Sequence, residues 1–233
     1  MGTLERRERE KQATRQRIVD SARRLFAEQG YDLVSMRRIA EDIEYSPTAI
    51  YVHFKDKETL FHEICQVDFA ALATTFRDLA GVADPIERIR QTGMAYVRFA
   101  LRHPNHYRLM FMTPHRHAEL SEEDRKSRGN PDEDAYAFLR TAVVEGIEAG
   151  RFSPQLSDAD LVTQTLWAGV HGVASLAIVK ADDPWVDCRP ADALAHLMCD
   201  SIIAGLTAGA RRRARSVATK RTSRSRRREA GDK

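Results

Sequence analysis

Apolar residues at Ile18, Ala22, Leu25 and Phe26 fall at i, i+4, i+7 and i+8, the stripe of a helix with one face turned to a core. Gly30 predicts its end, because glycine takes the left-handed conformation that closes helices. Ser35 is placed to cap a short second helix whose inner face is Met36, Ile39, Ala40 and Ile43. Ser46 and Pro47 start a third. A serine hydroxyl accepts from first-turn amides, and proline loses nothing where the N–H has no helical partner. Ala49, Ile50, Val52 and Phe54 continue that helix, with Ile50 and Phe54 facing inward onto Leu25, Phe26 and Ile39. Thr48, Tyr51, Val52 and His53 then face outward or sideways. Asp56 caps a fourth helix from Lys57 towards Leu79, with Leu60, Ile64, Val67 and Leu72 along one side.

Asp84-Pro85-Ile86-Glu87 has the acidic cap, first-turn proline and glutamate of another helix start. That helix runs towards His103, and Pro104 begins a shorter one. The stretch TPHRHAELSEEDRKSRGNPDED is polar and aperiodic, a loop with at most a brief helical turn. A helix from near Asp132 to Ala149 stops at Gly150. Another starts at Ser157–Asp160 and reaches Val179. The last begins near Pro190 and runs through Leu206. No stretch alternates as a strand does. The pattern predicts an all-α fold of about nine helices: a three-helix headpiece over residues 1–56, a helical body over 57–210 and a basic tail over 211–233.

Charge is uneven along these segments. Residues 1–57 carry 12 basic and 10 acidic side chains, residues 58–210 carry 14 and 22, and residues 211–233 carry 11 and 2. A body with net charge −8 is a poor match for a polyanion, so contact with nucleic acid is expected near the ends of the chain. The arginine-rich tail has too few apolar residues to fold and is expected to be disordered, adding non-specific phosphate contacts or serving as a solvated tail. Cys65, Cys188 and Cys199 are odd in number and widely spaced, which predicts reduced thiols in a cytoplasm. The charged N-terminus reads as no signal peptide, and no stretch approaches the apolar length of a membrane span, so no membrane is expected.

A helix, a tight turn (EDIEYSP) and a second short helix braced by a longer one form a helix-turn-helix unit. A phenol, an imidazole and a β-branched residue on its outer face suit a DNA major groove. RIVDSARRLFAEQGYDLVSMRRIAEDI followed by YSPTAIYVHFKDKETL resembles the TetR family of bacterial transcriptional regulators. The resemblance runs from Ala13 to Phe69, within a family domain of residues 12–72. It implies a DNA-reading headpiece on a dimeric, helical, ligand-binding body. It places Ser35 as a cap that touches phosphate. Pro47, Thr48 and Val52 fall at groove-facing positions, beside Ser46, and Tyr51, His53 and Lys57 at phosphate-bonding ones. Arg37 and Arg38 are either further phosphate contacts or the wet face of a short helix. Many relatives carry glycine in the turn where this chain has Glu44. If that residue has positive φ, a side chain there costs roughly 1–2 kcal/mol.

In the body, RHPNHYRLMF and LWAGVHGVASLA are similar to segments of one TetR subgroup with a Trp…His-Gly signature. Phe99, Tyr107, Met110, Phe111, Phe138, Trp167 and His171 are candidate lining for a small-molecule effector site, or alternatively ordinary core. Gly169, Gly172, Ala174 and Ala177, with Ala195, Ala204, Gly205 and Ala208, thin one side of each of the last two helices. They predict a four-helix homodimer interface, or else close packing within one chain. The expected protein is a cytoplasmic, homodimeric repressor of a palindromic operator in double-stranded DNA, released by a small effector and needing no cofactor. His103 with His106 and His115 with His117 lack closed zinc spacing, and a metal-responsive regulator is the alternative. A helical enzyme with a vestigial headpiece is a further alternative, though no G-x-S-x-G, P-loop, H-E-x-x-H or GxGxxG occurs. A general nucleic-acid binder acting through its tail is the third.

Overall fold

Capping and periodicity resolve into ten helices, and no strand, among the residues that the computed structural model describes, 3–113, 122–181 and 183–209. They are α1 (Thr3–Gln29), α2 (Met36–Asp42), α3 (Pro47–Tyr51), α4 (Lys57–Arg77), α5 (Pro85–Arg102), α6 (Pro104–Met112), α7 (Glu122–Ser127), α8 (Ala135–Glu148), α9 (Ala159–Val179) and α10 (Ala191–Gly209). The helix beyond the expected count is α7, which forms inside the polar loop. The tail from residue 210 onward and His115 and His117 lie outside the described residues.

The chain divides into two compact units, one of residues 1–74 and 99–134, the other of 75–98 and 135–233. In the first, α1, α2, α3 and the start of α4 enclose a core of Ile18, Leu25, Phe26, Ile39, Ile50, Phe54, Leu60 and Ile64, joined by Leu109 from α6. The first unit therefore takes in α6, which packs on α1, rather than ending with the third helix. Val67, expected inside, is 51% exposed, whereas Asp68 is fully buried. The inner stripe of α4 is Leu60, Ile64, Asp68 and Leu72, a strict four-residue repeat. Asp68 is tolerated there because Arg23 of α1 forks onto it, Nε to Oδ2 at 3.2 Å and Nη2 to Oδ1 at 2.9 Å. A buried carboxylate needs such a partner. His106 Nδ1 of α6 lies 2.9 Å from Asp68 Oδ1.

In the second unit, Ile89, Leu139, Ala142, Val143, Phe152, Val162, Leu166 and Ile203 form a core between α5, α8, α9 and α10. The small residues divide. A Cβ on Gly169 would come within 2.5 Å of Met198 Sδ and 2.7 Å of Ile202 Cδ1, so this glycine lets α9 meet α10 within one chain. Ala174 and Ala195 are likewise buried. Gly172 and Gly205 meet nothing, and Ala204 and Ala208 are exposed. Two helices have longer apolar stretches than the sequence reading allowed. By length and composition α9 and α10 are each apolar enough to cross a bilayer, with mean hydropathies of 1.3 and 1.2. Only 28% and 22% of those windows are buried, so much apolar surface stays uncovered in a single chain. Cys65, Cys188 and Cys199 are free thiols, and burial pushes the Cys65 thiol up to about 12.

Candidate nucleic-acid interface

The helix-turn-helix begins with a closed cap. Ser35 Oγ accepts from Arg38 N–H at 3.1 Å, and Ser46 Oγ accepts from Ala49 N–H at 3.2 Å, with Pro47 in the first turn of α3. Between them α2 ends in a Schellman motif. Glu44 N–H donates to Glu41 O at 3.2 Å and Tyr45 N–H to Ala40 O at 2.9 Å. That geometry requires a left-handed residue at Glu44, and its φ is +60°, the one positive φ outside glycine among the described residues. Arg17 braces the turn, donating to Ile43 O at 3.3 Å and lying 5.2 Å over the Tyr45 ring.

The α3 helix is shorter than its apolar pattern predicts, closing at Tyr51 with Val52 as its C-cap. One further turn persists, since His53 and Phe54 N–H both donate to Ile50 O, at 2.9 and 3.0 Å. Phe54 must stop there because Asp56 two residues later caps α4, accepting from Thr59 N–H at 2.7 Å. Ile50 and Phe54 are buried, as expected of the base of this helix. Tyr51 and Val52 are 55% and 72% exposed. Ser35, Arg37, Arg38, Ser46, Pro47 and Thr48 are exposed with them, on α2, α3 and their caps. Arg37 is ion-paired along its own helix with Glu41 at 3.0 Å.

Two candidate residues have work inside the fold. Lys57 Nζ donates to Tyr31 O at 2.9 Å and Val34 O at 3.0 Å and sits 4.2 Å over the Tyr31 ring, so it ties the α1–α2 connection to α4. His53 is half-buried, and its Nδ1 is enclosed without a protein partner. Burial first, then Arg15 and Lys11, hold its pKa below the ordinary imidazole value, so at neutral pH the ring offers hydrogen bonding and no charge. Pattern reading missed Arg15 itself. It lies over the Phe54 ring at 4.2 Å, donates to His53 O at 2.8 Å and forks onto Glu63 of α4.

The effector candidates fall into both units. Phe99, Tyr107 and Met110 are buried in the first, where Tyr107 meets Phe111 ring to ring at 5.1 Å. Phe138 is buried in the second and meets Phe76 at 5.8 Å. Trp167 and His171, one turn apart on α9, converge on Tyr96 of α5, which no sequence pattern had marked. Trp167 Nε1 donates to Tyr96 Oη at 3.2 Å, and that oxygen lies 3.2 Å from His171 Nδ1. Indole only donates, so Tyr96 Oη is the acceptor of the first bond, and the direction of the second follows the His171 tautomer. Burial lowers the His171 pKa, which favours the neutral ring. Among the described residues no group of three or more His, Cys, Asp or Glu side chains is arranged to hold a metal ion.

A family model for bacterial regulatory proteins of the tetR family matches residues 18–64, and a second, for the Tetracyclin repressor-like C-terminal domain, matches 89–202. The chain is 44% identical over 61 residues to the HTH-type transcriptional repressor Rv1474c of Mycobacterium tuberculosis, covering 26% of this chain and 33% of that protein. It is 46% identical over 59 residues to the HTH-type transcriptional repressor AcnR of Corynebacterium diphtheriae, covering 25% and 31%. The chain thus spans about a third of the length of the curated relatives it matches. Its fold is similar to the crystal structure of PfmR, a TetR family transcriptional regulator of Thermus thermophilus. The TM-score is 0.62 at 24% identity, over 80% of this chain and 96% of that one.

Proposed function

This chain belongs to the TetR family of bacterial regulatory proteins, and we infer that it is a sequence-specific DNA-binding transcriptional repressor. The observation that carries the reading is the exposed pair Tyr51 and Val52 on a helix whose base, Ile50 and Phe54, is fully enclosed. A short helix that presents large apolar side chains to water gains by laying them in a major groove, where thymine methyls and base edges meet them. On this reading Pro47, Thr48 and Val52 face the bases. Ser35, Ser46, Tyr51, His53 and the remaining N–H of Lys57 bond phosphates, with Arg37 and Arg38 beside them. Phosphate contacts set the register and base contacts set the sequence.

The repressor acts in the cytoplasm as a homodimer. Leu161, Leu176 and Val179 on α9 and Leu197 on α10 are exposed, beside the open Gly172 and Gly205, and a second copy would cover them. A two-fold dimer reads a palindrome. A small effector is held in the second unit, against Phe138, Trp167 and His171, with Tyr96 supplying the polar contact of the last two. It releases DNA by binding better to a conformer that does not fit the operator. The family is one of transcriptional regulators, so the enzymatic alternative is set aside.

Selection from a pool of random duplexes tests the reading. The chain should enrich an inverted repeat whose half-site centres lie ~34–36 Å apart or a multiple of it, and a chain ending before Arg211 should enrich the same repeat. Binding without sequence preference that disappears with the tail would assign the activity to the tail instead.

A further inference from the structure

We propose that Arg15 is a positioning residue for DNA reading, a clasp that fixes the C-terminal end of the α3 recognition helix against α1 and α4. The inference rests on α3 being the DNA-reading element. A helix of five residues, Pro47–Tyr51, has almost no stability of its own, because nucleation alone costs more than one turn returns. Its beginning is fixed by the Ser46 cap and its underside by Ile50 and Phe54. Its end is the weak point, since the last carbonyls of any helix have no partner in the helix.

Arg15 holds the chain two and three residues past that end, at His53 and Phe54. Nη1 donates to His53 O at 2.8 Å. The guanidinium plane lies 4.2 Å over the ring of Phe54, the next residue. Nε donates to Glu63 Oε1 at 3.1 Å and Nη2 to Glu63 Oε2, a two-pronged pairing that sets the plane of the guanidinium. One side chain of α1 therefore touches the backbone and the anchor side chain at the end of α3 and is itself oriented from α4. Arg15 and Glu63 are both about one-third exposed, so water competes with the ion pair alone. The arrangement as a whole aims α3. Losing it lets the end of the helix swing by rotation about its buried base, which moves Tyr51 and Val52 relative to a groove. Lysine cannot replace this geometry, because an ammonium has neither the fork nor the plane.

The test uses full-length protein and a duplex that the wild-type chain has selected from random sequence, with a scrambled duplex as the non-specific reference. Should the wild type select no sequence, the DNA-reading conclusion itself falls, and the clasp with it. Arg15→Gln should weaken binding to the selected duplex by on the order of tenfold, the effect of one lost charge-assisted hydrogen bond, and leave affinity for the scrambled duplex within about twofold. Arg15→Lys should recover less than half of that loss on a logarithmic scale. Val34→Ala, in the same core, serves as a control for destabilisation without loss of the clasp. At a temperature where both variants are fully folded, it should keep the wild-type ratio of the two affinities. Equal ratios in Arg15→Gln and wild type, or full rescue by lysine, would overturn the proposal.

Discussion

Glu44 holds a φ of +60° at the closing position of α2, and its substitution separates backbone strain from charge. A residue with a Cβ loses roughly 1–2 kcal/mol in the left-handed region. Glycine avoids that cost but gives up about 0.4–1 kcal/mol through the greater freedom of its unfolded chain. The two backbone bonds of the motif, to Glu41 O and Ala40 O, are kept by either residue. Glu44→Gly should therefore be more stable than Glu44→Ala by about 0.5–1 kcal/mol, or about 1–4 °C in melting temperature for a chain of this size. Glu44→Ala retains the strain, and as an exposed substitution it should lie within about 0.5 kcal/mol of wild type. Thermal melting followed by circular dichroism reads the difference. A glycine variant that melts at or below the alanine variant would refute the strain argument. DNA binding reads the other half. Both variants remove the same carboxylate beside the recognition helix, so both should gain operator affinity equally, and the gain should shrink as salt rises.

Asp68→Asn should cost about 3 kcal/mol, the lower end of the range for a broken buried pair, in urea unfolding, because it leaves the buried Arg23 with only the exposed Asp20 as counter-charge. Arg24→Gln, at an exposed pair with Asp42, should cost under about 1 kcal/mol, and similar losses for the two would contradict the assignment of Asp68 to the core. His53, His103 and His171 all have pKa values lowered chiefly by burial. Their contribution to stability is present above the unfolded imidazole value of about 6.5 and is lost as pH falls through their folded values. Melting temperature should fall between pH 7 and pH 5, and a flat or rising profile would contradict it.

The helix-turn-helix was legible because its punctuation is local. Gly30, Ser35, Ser46 and Pro47 act on amides within three or four residues of themselves, so a linear pattern carries them. The positive φ of Glu44 was legible only as a condition, from the glycine that many relatives carry in the turn, and the turn has it. Asp68 was not, because a hydropathy reading prefers Val67, and the partner that admits a carboxylate to the core, Arg23, is 45 residues away. Arg15 was missed likewise, since its partner Glu63 lies 48 residues along the chain. Gly169 suited either a symmetry mate or its own chain, and Met198 and Ile202 decide for its own chain. Tyr96 sits in an ordinary apolar stripe of α5, and only the convergence of Trp167 and His171 sets it apart. The polar loop is aperiodic, so its pattern gave no more than a brief turn, where α7 forms.

The central claim is that the exposed face of α3 reads DNA, and a mobility-shift titration of Tyr51→Ala against the selected duplex tests it most directly. Tyr51 is exposed and takes no part in the headpiece core, so the variant should melt within about 0.5 kcal/mol of wild type. Its operator affinity should fall by roughly tenfold or more, the loss of a phosphate bond and its apolar contact. A folded Tyr51→Ala that binds the selected duplex as tightly as wild type would contradict the account.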